Sequence, residues 1–104
     1  MLNLLRFGEN GRELYAKYAK ALDEAYLPKY GGEVIFAGNG STALVGDQTQ
    51  TWDAVLLVRY PSRQAFCDMV ADPAYHEFTK FRTDALSEAV LQATVSWVPA
   101  EDAG

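Results

Sequence analysis

The alternation of apolar and polar positions is most informative in residues 52–60. Neighbouring side chains of a strand point to opposite faces, and the run AVLLV between Asp53 and Arg59 makes both faces apolar. A strand with one face in water would alternate apolar with polar residues, so this run predicts a central strand covered on both faces. Pro61 lacks a backbone donor and disfavours helix at the preceding residue, so we expect the strand to end at Tyr60.

Two helices are predicted directly after this strand. Ser62 is a suitable N-cap for the first, because its hydroxyl can accept a hydrogen bond from an unpaired backbone N–H, and apolar residues follow it at helical spacing. The pair Asp72-Pro73 indicates the end of this helix and the start of the next, with aspartate as the cap and proline in the first helical position. The second helix is expected over residues 73–86.

The chain before residue 52 predicts two further strands and a helix. The first residues, MLNLLRF, are mostly apolar on both faces and predict a second central strand. Residues 12–29 carry apolar side chains at helical spacing and predict an amphipathic helix, with Pro28 and the pair Gly31-Gly32 as its end signals. Residues 33–46 predict one long strand that bends at its Gly-Asn-Gly sequence; a hairpin at Asn-Gly is the alternative.

The last strand is predicted over residues 90–98. Its two faces are an apolar one and a polar one: Leu91, Ala93, Val95 and Trp97 against Gln92, Thr94 and Ser96. This alternation indicates an edge strand with one face in water. Residues 98–104 are expected to form a flexible polar tail, and a chain of 104 residues is expected to be a single domain, 1–104.

The order of the predicted elements is strand, helix, strand, strand, helix pair, strand. It predicts an α+β fold, a ferredoxin-like βαββαβ sandwich with an antiparallel sheet whose first and third strands are central. Helices cover one face of such a sheet, and leaving the other face in water would cost roughly 25 cal/mol per Å² of apolar surface. A second copy of the sheet is the simplest cover, so we expect a homodimer through the sheet face.

The charge of the chain narrows the set of partners. A net charge of −5 and a pI near 4.7 argue against nucleic acid and against an anionic membrane surface. No apolar run reaches the ~18 residues of a spanning helix, and the apolar start lacks the features of a signal peptide.

Cys67 is the single cysteine, which fits a reducing, cytoplasmic location. One Cys and one His do not support a Cys/His metal site, and no cofactor is expected.

Three segments resemble a known family. They are KYGGEVIFAG, WDAVLLVRYPSRQAF and DPAYHEFTKFRTDAL, and they are similar to the small bacterial proteins of domain of unknown function 1330, in the dimeric α/β-barrel superfamily. The resemblance covers most of the chain and is most specific at residues 60–75. It implies the ferredoxin-like fold and the dimer. Superfamily relatives include cofactor-free oxygenases, lactone isomerases, dehydratases and haem-degrading enzymes, but no signature residue of those enzymes maps onto this chain, and a shared fold does not carry function.

Three polar residues stand where apolar ones would be expected. Arg82 lies in the apolar stripe of the last helix, so it either anchors an anionic ligand, pairs with a carboxylate such as Asp53, or extends to the rim. Asn3 lies among leucines and could hold a substrate carbonyl or satisfy a backbone group. Asp53, next to Trp52, could act as a general base or cap a turn.

Histidine titrates near neutral pH, and His76 is the single one in the chain. It could move a proton, but it points away from the apolar stripe, as a surface histidine would. Aromatic residues, Tyr18 and Trp52 among them, would either wall a pocket for a small ring-containing or lipophilic ligand or simply form the core.

Three functions are consistent with these residues. In a cofactor-independent enzyme acting on a small organic acid, lactone or aromatic, Arg82 would bind an anionic group, Asn3 would polarise a carbonyl, and Asp53 or His76 would move a proton. The second function is a non-catalytic small-molecule-binding dimer, in which no titratable group reaches the ligand. The third is a structural or interaction module.

Overall fold

The structure of the chain is a computed structural model that describes residues 1–97, apart from the side chain of Gln48. The predicted tail at residues 98–104 lies outside the described residues. The elements in chain order are β1 (Leu2–Phe7), α1 (Gly11–Ala21), a π-helical turn (Leu22–Tyr26), α2 (Leu27–Tyr30), β2 (Glu33–Asn39), a 3-10 turn (Gln48–Gln50), β3 (Ala54–Arg59), α3 (Arg63–Ala71), α4 (Pro73–Ala85) and β4 (Leu86–Gln92).

The four strands form one antiparallel sheet in the order β2-β3-β1-β4. The prediction that the first and third strands are central is therefore confirmed, as is the α+β ferredoxin-like topology. Within the sheet, Asn3 of β1 lies opposite Leu56 of β3 on one side and Leu91 of β4 on the other. This register places Asn3 in the middle of the sheet.

The prediction of one long bent strand over residues 33–46 is wrong. The strand ends at Asn39, and the last contact with β3 is the hydrogen bond from the backbone N–H of Gly40 to the carbonyl oxygen of Asp53, at 2.8 Å. A Cβ built on Gly40 would lie 1.7 Å from the carbonyl oxygen of Trp52, so this close approach requires glycine. The chain then leaves the sheet, and residues 40–53 form a long connection from β2 to the antiparallel β3 in place of a tight hairpin at Asn39-Gly40.

The last strand also differs from its prediction. It covers Leu86–Gln92 rather than residues 90–98, and it begins directly after α4. The reason is its partner: β4 pairs with β1 from Phe7 down to Leu2, where β1 begins, so residues 93–97 have no residue of β1 to pair with. The predicted position at the edge of the sheet is confirmed.

The helix caps agree with the sequence pattern. The hydroxyl oxygen of Ser62 accepts a hydrogen bond from the backbone N–H of Ala65 at 3.0 Å, and a carboxylate oxygen of Asp72 accepts one from Ala74 at 3.0 Å. Pro73 stands in the first turn of α4. These caps satisfy N–H groups that have no partner within their helices.

The helices pack against one face of the sheet. The buried apolar residues there are Leu5, Tyr15, Tyr18, Leu22, Tyr26, Leu27, Ala54, Val58, Met69, Tyr75 and Ala85. Four of them are tyrosines, and their ring contacts join α1 and the π-helical turn to α4. The core is therefore largely aromatic between the helices and aliphatic on the sheet.

The opposite face of the sheet, which we call the open face, is apolar at its centre. It carries Leu2, Leu4, Phe36, Val55, Leu57 and Val90, as the alternation and the strand register require. A shift in the strand register between Val34 and Phe36 brings Phe36 onto this face, where 57% of the surface of this residue is exposed. The other members of the set are half-buried.

Candidate functional site

A cavity of about 400 Å³ lies between the helices and the sheet. Its walls include aliphatic residues of the sheet and of the helices, and this volume lies within the range of small-ligand pockets. The polar residues that line it are Asn3, Tyr15, Tyr18, Asp23, Tyr60, Tyr75, Thr79 and Arg82. Asn3, Tyr18 and Arg82, which the sequence pointed to, are therefore brought to one cavity.

Two helices supply most of the polar wall. On α1, Tyr15 and Tyr18 are three residues apart and share a face, and on α4, Tyr75 and Arg82 are two turns apart and also share one. The π-helical turn at Leu22–Tyr26 continues the α1 wall, and its Asp23 lines the cavity. Such turns are rare and are found frequently at functional sites.

The phenol groups of Tyr18 and Tyr75 form a buried hydrogen bond, with their oxygens 2.8 Å apart. Burial, with the neighbouring Tyr75, raises the pKa of Tyr18 well above its ordinary value. Burial likewise raises the pKa of Tyr15, and it raises that of Tyr60 to about 12. These phenols therefore keep their protons at neutral pH and present hydrogen-bond donors to the cavity.

Arg82 is half-buried and lines the same cavity. Its positive charge acts to lower the pKa of both Tyr15 and Tyr18, although burial has the larger, opposite effect on each pKa. Within residues 1–97 it forms no ion pair and donates no hydrogen bond. A guanidinium carries five N–H donors in a planar fork that matches a carboxylate, so this one is available for an anion.

Asn3 forms part of the sheet side of the cavity and is 8% exposed. Its amide nitrogen donates to the carbonyl oxygen of Met1 over 3.4 Å, at the long end of the hydrogen-bonding range. Its side-chain oxygen accepts no hydrogen bond from the described part of the chain. Asn3 can therefore offer a ligand both a donor and an acceptor.

Asp53 and Trp52 lie outside this cavity. The carboxylate of Asp53 accepts a hydrogen bond from the backbone N–H of Phe7 at 2.8 Å, and the backbone N–H of Asp53 donates to Leu5, also at 2.8 Å. These bonds tie the start of β3 to β1, and within residues 1–97 Asp53 forms no ion pair with Arg82. The ring of Trp52 stacks under the guanidinium of Arg6, 4.6 Å from its centre.

His76 is exposed on the far side of α4. Its Nε2 lies 2.6 Å from the carbonyl oxygen of Val70, at the end of α3. It does not line the cavity. The structure thus separates both predicted proton carriers, Asp53 and His76, from Arg82.

Five polar lining residues are not among the ligand contacts that the sequence predicts: Tyr15, Asp23, Tyr60, Tyr75 and Thr79. The three tyrosines belong to the aromatic residues expected as pocket wall or core, Asp23 lies on the polar flank of the helix predicted over residues 12–29, and Thr79 has no distinguishing pattern around it. A signal was available for Tyr75, because it shares the apolar stripe of Arg82. For Asp23 there was none, since the π-helical turn that brings it to the cavity leaves no mark in the periodicity.

Residues 1–97 contain neither a metal-binding cluster nor a membrane-spanning helix. No group of three or more His, Cys, Asp or Glu side chains lies close enough together there to hold a metal ion. In the same residues, no helix has the length and apolar character needed to cross a membrane.

The fold and the site define an α+β protein of ferredoxin-like topology, with an aromatic cavity between its helices and its sheet. The chain belongs to the family described as Domain of unknown function (DUF1330), whose pattern matches residues 7–94. No curated protein matches the chain. Family membership confirms the resemblance drawn from the sequence and leaves the chemistry open.

Solved structures of similar proteins agree with this assignment. The protein RPA0582 of Rhodopseudomonas palustris, of unknown function, is 32% identical with a TM-score of 0.83, over 94% of this chain and 81% of that one. Its methylated form gives 30% identity and a TM-score of 0.77, over 93% and 81% of the two chains. At3g17210 of Arabidopsis thaliana is similar in fold alone, with 20% identity and a TM-score of 0.58 over 91% and 95%.

Proposed function

We propose that this protein binds a small organic anion, a carboxylate with an apolar body, in the cavity between its helices and its sheet. The observation that carries the proposal is the position of Arg82, a half-buried guanidinium without an ion pair in residues 1–97, on the wall of a tyrosine-lined cavity. A partly buried charge without a partner is costly. A bound carboxylate supplies that partner.

The other lining residues support the same ligand chemistry. Burial raises the pKa of Tyr15, so its phenol keeps its proton and can donate a hydrogen bond to the carboxylate. The aliphatic part of the wall, with Leu22, Leu56 and Val58, favours an apolar ring or chain. A small ring-containing carboxylate satisfies both requirements.

We further propose that the protein acts as a homodimer through the open face. Its apolar centre is bordered by the ion pairs of Arg6 with Glu88 and of Arg59 with Glu33. An apolar centre with a charged rim is the usual anatomy of a protein interface. A twofold contact between two such faces would hide the side chains that one copy leaves in water.

The exposed thiol of Cys67 fits a reducing, cytoplasmic setting.

The binding proposal is tested with 4-isopropylbenzoate, an apolar ring with one carboxylate. Isothermal titration calorimetry compares the wild type with Arg82→Gln and with Arg63→Gln, which removes the same charge from an exposed position in α3. A charge-assisted hydrogen bond is worth about 1.5–3 kcal/mol, so Arg82→Gln is expected to weaken binding by roughly 10- to 100-fold. Arg63→Gln is expected to bind as the wild type does. Equal affinity in all three proteins would contradict the proposal.

An enzyme acting on the same anion is the second candidate, and Asp23 is the observation that favours it. Among the described residues that line the cavity together with Arg82, Asp23 is the one that carries a carboxylate. It could therefore accept a proton from a bound ligand whose negative charge Arg82 stabilises. The test is exchange of α-hydrogens of phenylpyruvate for deuterium in D₂O, followed by NMR. Exchange above the buffer rate that is lost in Asp23→Asn, with ligand binding retained, would favour the enzyme. Exchange at the buffer rate would favour binding alone.

A purely structural module is the remaining alternative. It predicts the open-face dimer with no ligand in the cavity. Saturable binding of 4-isopropylbenzoate that depends on Arg82 would count against it.

A further inference from the structure

The hydrogen-bonded pair of Tyr18 and Tyr75 leaves one proton without an acceptor. Each phenol carries a single O–H donor, and neither forms another hydrogen bond within residues 1–97. One of the two protons joins the oxygens, and the other has no partner. The residues are 5% and 8% exposed, and both line the cavity. The pair therefore presents one unfilled donor to the occupant of the cavity.

This donor and Arg82 line the same cavity, so one small ligand could contact both. Tyr75 and Arg82 lie on one face of α4, two turns apart, which corresponds to about 10 Å along the helix axis. Arg82 and the tyrosine pair therefore offer a cation and a neutral donor to the occupant of one cavity. Leu56 and Val58 of the sheet supply an apolar surface in the same cavity.

We propose that the Tyr18–Tyr75 pair recognises a second oxygen of the ligand, a carbonyl or hydroxyl oxygen separate from its carboxylate. The site then selects small oxo- or hydroxy-carboxylates with an apolar middle. This inference rests on the proposed function, because it takes the carboxylate on Arg82 as given. It adds a second polar group that the ligand must carry.

The test compares two ligands of equal size, 4-acetylbenzoate and 4-isopropylbenzoate. They have the same number of non-hydrogen atoms and differ in one ketone oxygen that replaces a methyl group. A hydrogen bond from a neutral phenol to that oxygen is expected to make 4-acetylbenzoate bind roughly 3- to 10-fold more tightly to the wild type, measured by calorimetry.

The decisive variant is the double substitution Tyr18→Phe with Tyr75→Phe. It removes both hydroxyls together, which leaves no buried phenol without its partner, and such paired replacements are often nearly neutral for stability. The preference for 4-acetylbenzoate is expected to vanish, while 4-isopropylbenzoate binds within about twofold of the wild type. Tyr26→Phe is the matched control, because the Tyr26 ring packs 5.8 Å from that of Tyr75 but does not line the cavity. It is expected to keep the preference.

Each outcome decides the question. Equal affinity of the two ligands for the wild type overturns the inference, as does a preference that survives in the double variant or is lost in Tyr26→Phe. If the double variant does not fold, the single variants replace it, and the preference must then disappear in at least one of them. Failure of both ligands to bind the wild type overturns the proposed function itself, whereas Arg82-dependent binding without a preference overturns this inference alone.

Discussion

The carboxylate of Asp72 accepts a hydrogen bond from the ammonium group of Lys29 at 2.8 Å. The phenol of Tyr30 donates to the same carboxylate at 2.7 Å. Asp72 also caps α4, so one side chain joins the end of the first helical segment to the junction between α3 and α4. This cluster lies away from the cavity and contributes to the stability of the fold.

Asp72 makes a pH-dependent contribution to stability. The hydrogen bond from Lys29, with those from Tyr30 and Ala74, lowers the pKa of Asp72 from 3.8 to about 2. A carboxyl group with a lowered folded-state pKa stabilises the fold above its unfolded pKa and loses this contribution as the pH falls through the folded value. The difference in free energy of unfolding between the wild type and Asp72→Asn is therefore expected to be constant near neutral pH and to shrink between about pH 4 and pH 2.

Urea denaturation at several pH values measures this difference. The Lys29 side chain is 59% exposed, so added salt is expected to reduce the effect. Asp68→Asn, on the exposed surface of α3, is the control, because the Asp68 carboxylate accepts its hydrogen bond from the neutral side chain of Gln64. A difference between the wild type and Asp72→Asn that persists unchanged at pH 2 would contradict the role of this carboxylate.

Gly11 fills a narrow contact between α1 and the end of α4. A Cβ at this position would lie 2.1 Å from the carbonyl oxygen of Ala85, whereas one on the nearby Gly8 would come no closer than 3.8 Å to it. Gly11→Ala is therefore expected to lower the free energy of unfolding by about 1–3 kcal/mol, the usual range for overpacking. Gly8→Ala is expected to change it by less than about 1 kcal/mol. Equal effects of the two substitutions in thermal or urea unfolding would show that the contact is looser than described.

The open face predicts how the protein assembles. Leu57 lies at its centre, and Leu57→Glu would place a charge inside the proposed contact between two sheets, where an unpaired charge is strongly disfavoured. The wild type is expected to sediment as a dimer at micromolar concentration and Leu57→Glu as a monomer. Gln64→Glu adds the same charge on the exposed side of α3 and is expected to remain dimeric. A monomeric wild type would mean that another element covers this face.

Much of the fold could be predicted because local patterns determine it. The run of apolar residues in β3 identified a strand covered on both faces, and Ser62 and Asp72-Pro73 identified the helix starts. The limits of β2 and β4 were not predictable in this way. The end of β4 depends on where β1 begins, and the end of β2 depends on the contact of Gly40 with Trp52, which are both relations between distant parts of the chain.

The site was predictable only in part. A charged residue in an apolar stripe identified Arg82, and an amide among leucines identified Asn3, because both patterns are local anomalies. The pairing of Tyr18 with Tyr75 joins residues far apart in sequence, and nothing in either segment indicates it. The sequence suggested Asp53 as a general base, but its carboxylate accepts a hydrogen bond from the backbone N–H of Phe7 and lies outside the cavity.

The most direct test of the central claim is a titration of the ¹⁵N-labelled protein with 4-isopropylbenzoate, followed by NMR. The side-chain amide of Asn3 and the backbone amides of the cavity-lining residues Tyr15 and Thr79 are expected to shift together and to saturate with one dissociation constant, and these shifts are expected to weaken in Arg82→Gln. Shifts confined to the surroundings of Asp53 or His76, or no saturable shift at all, would contradict the claim that an anion binds at Arg82 inside this cavity.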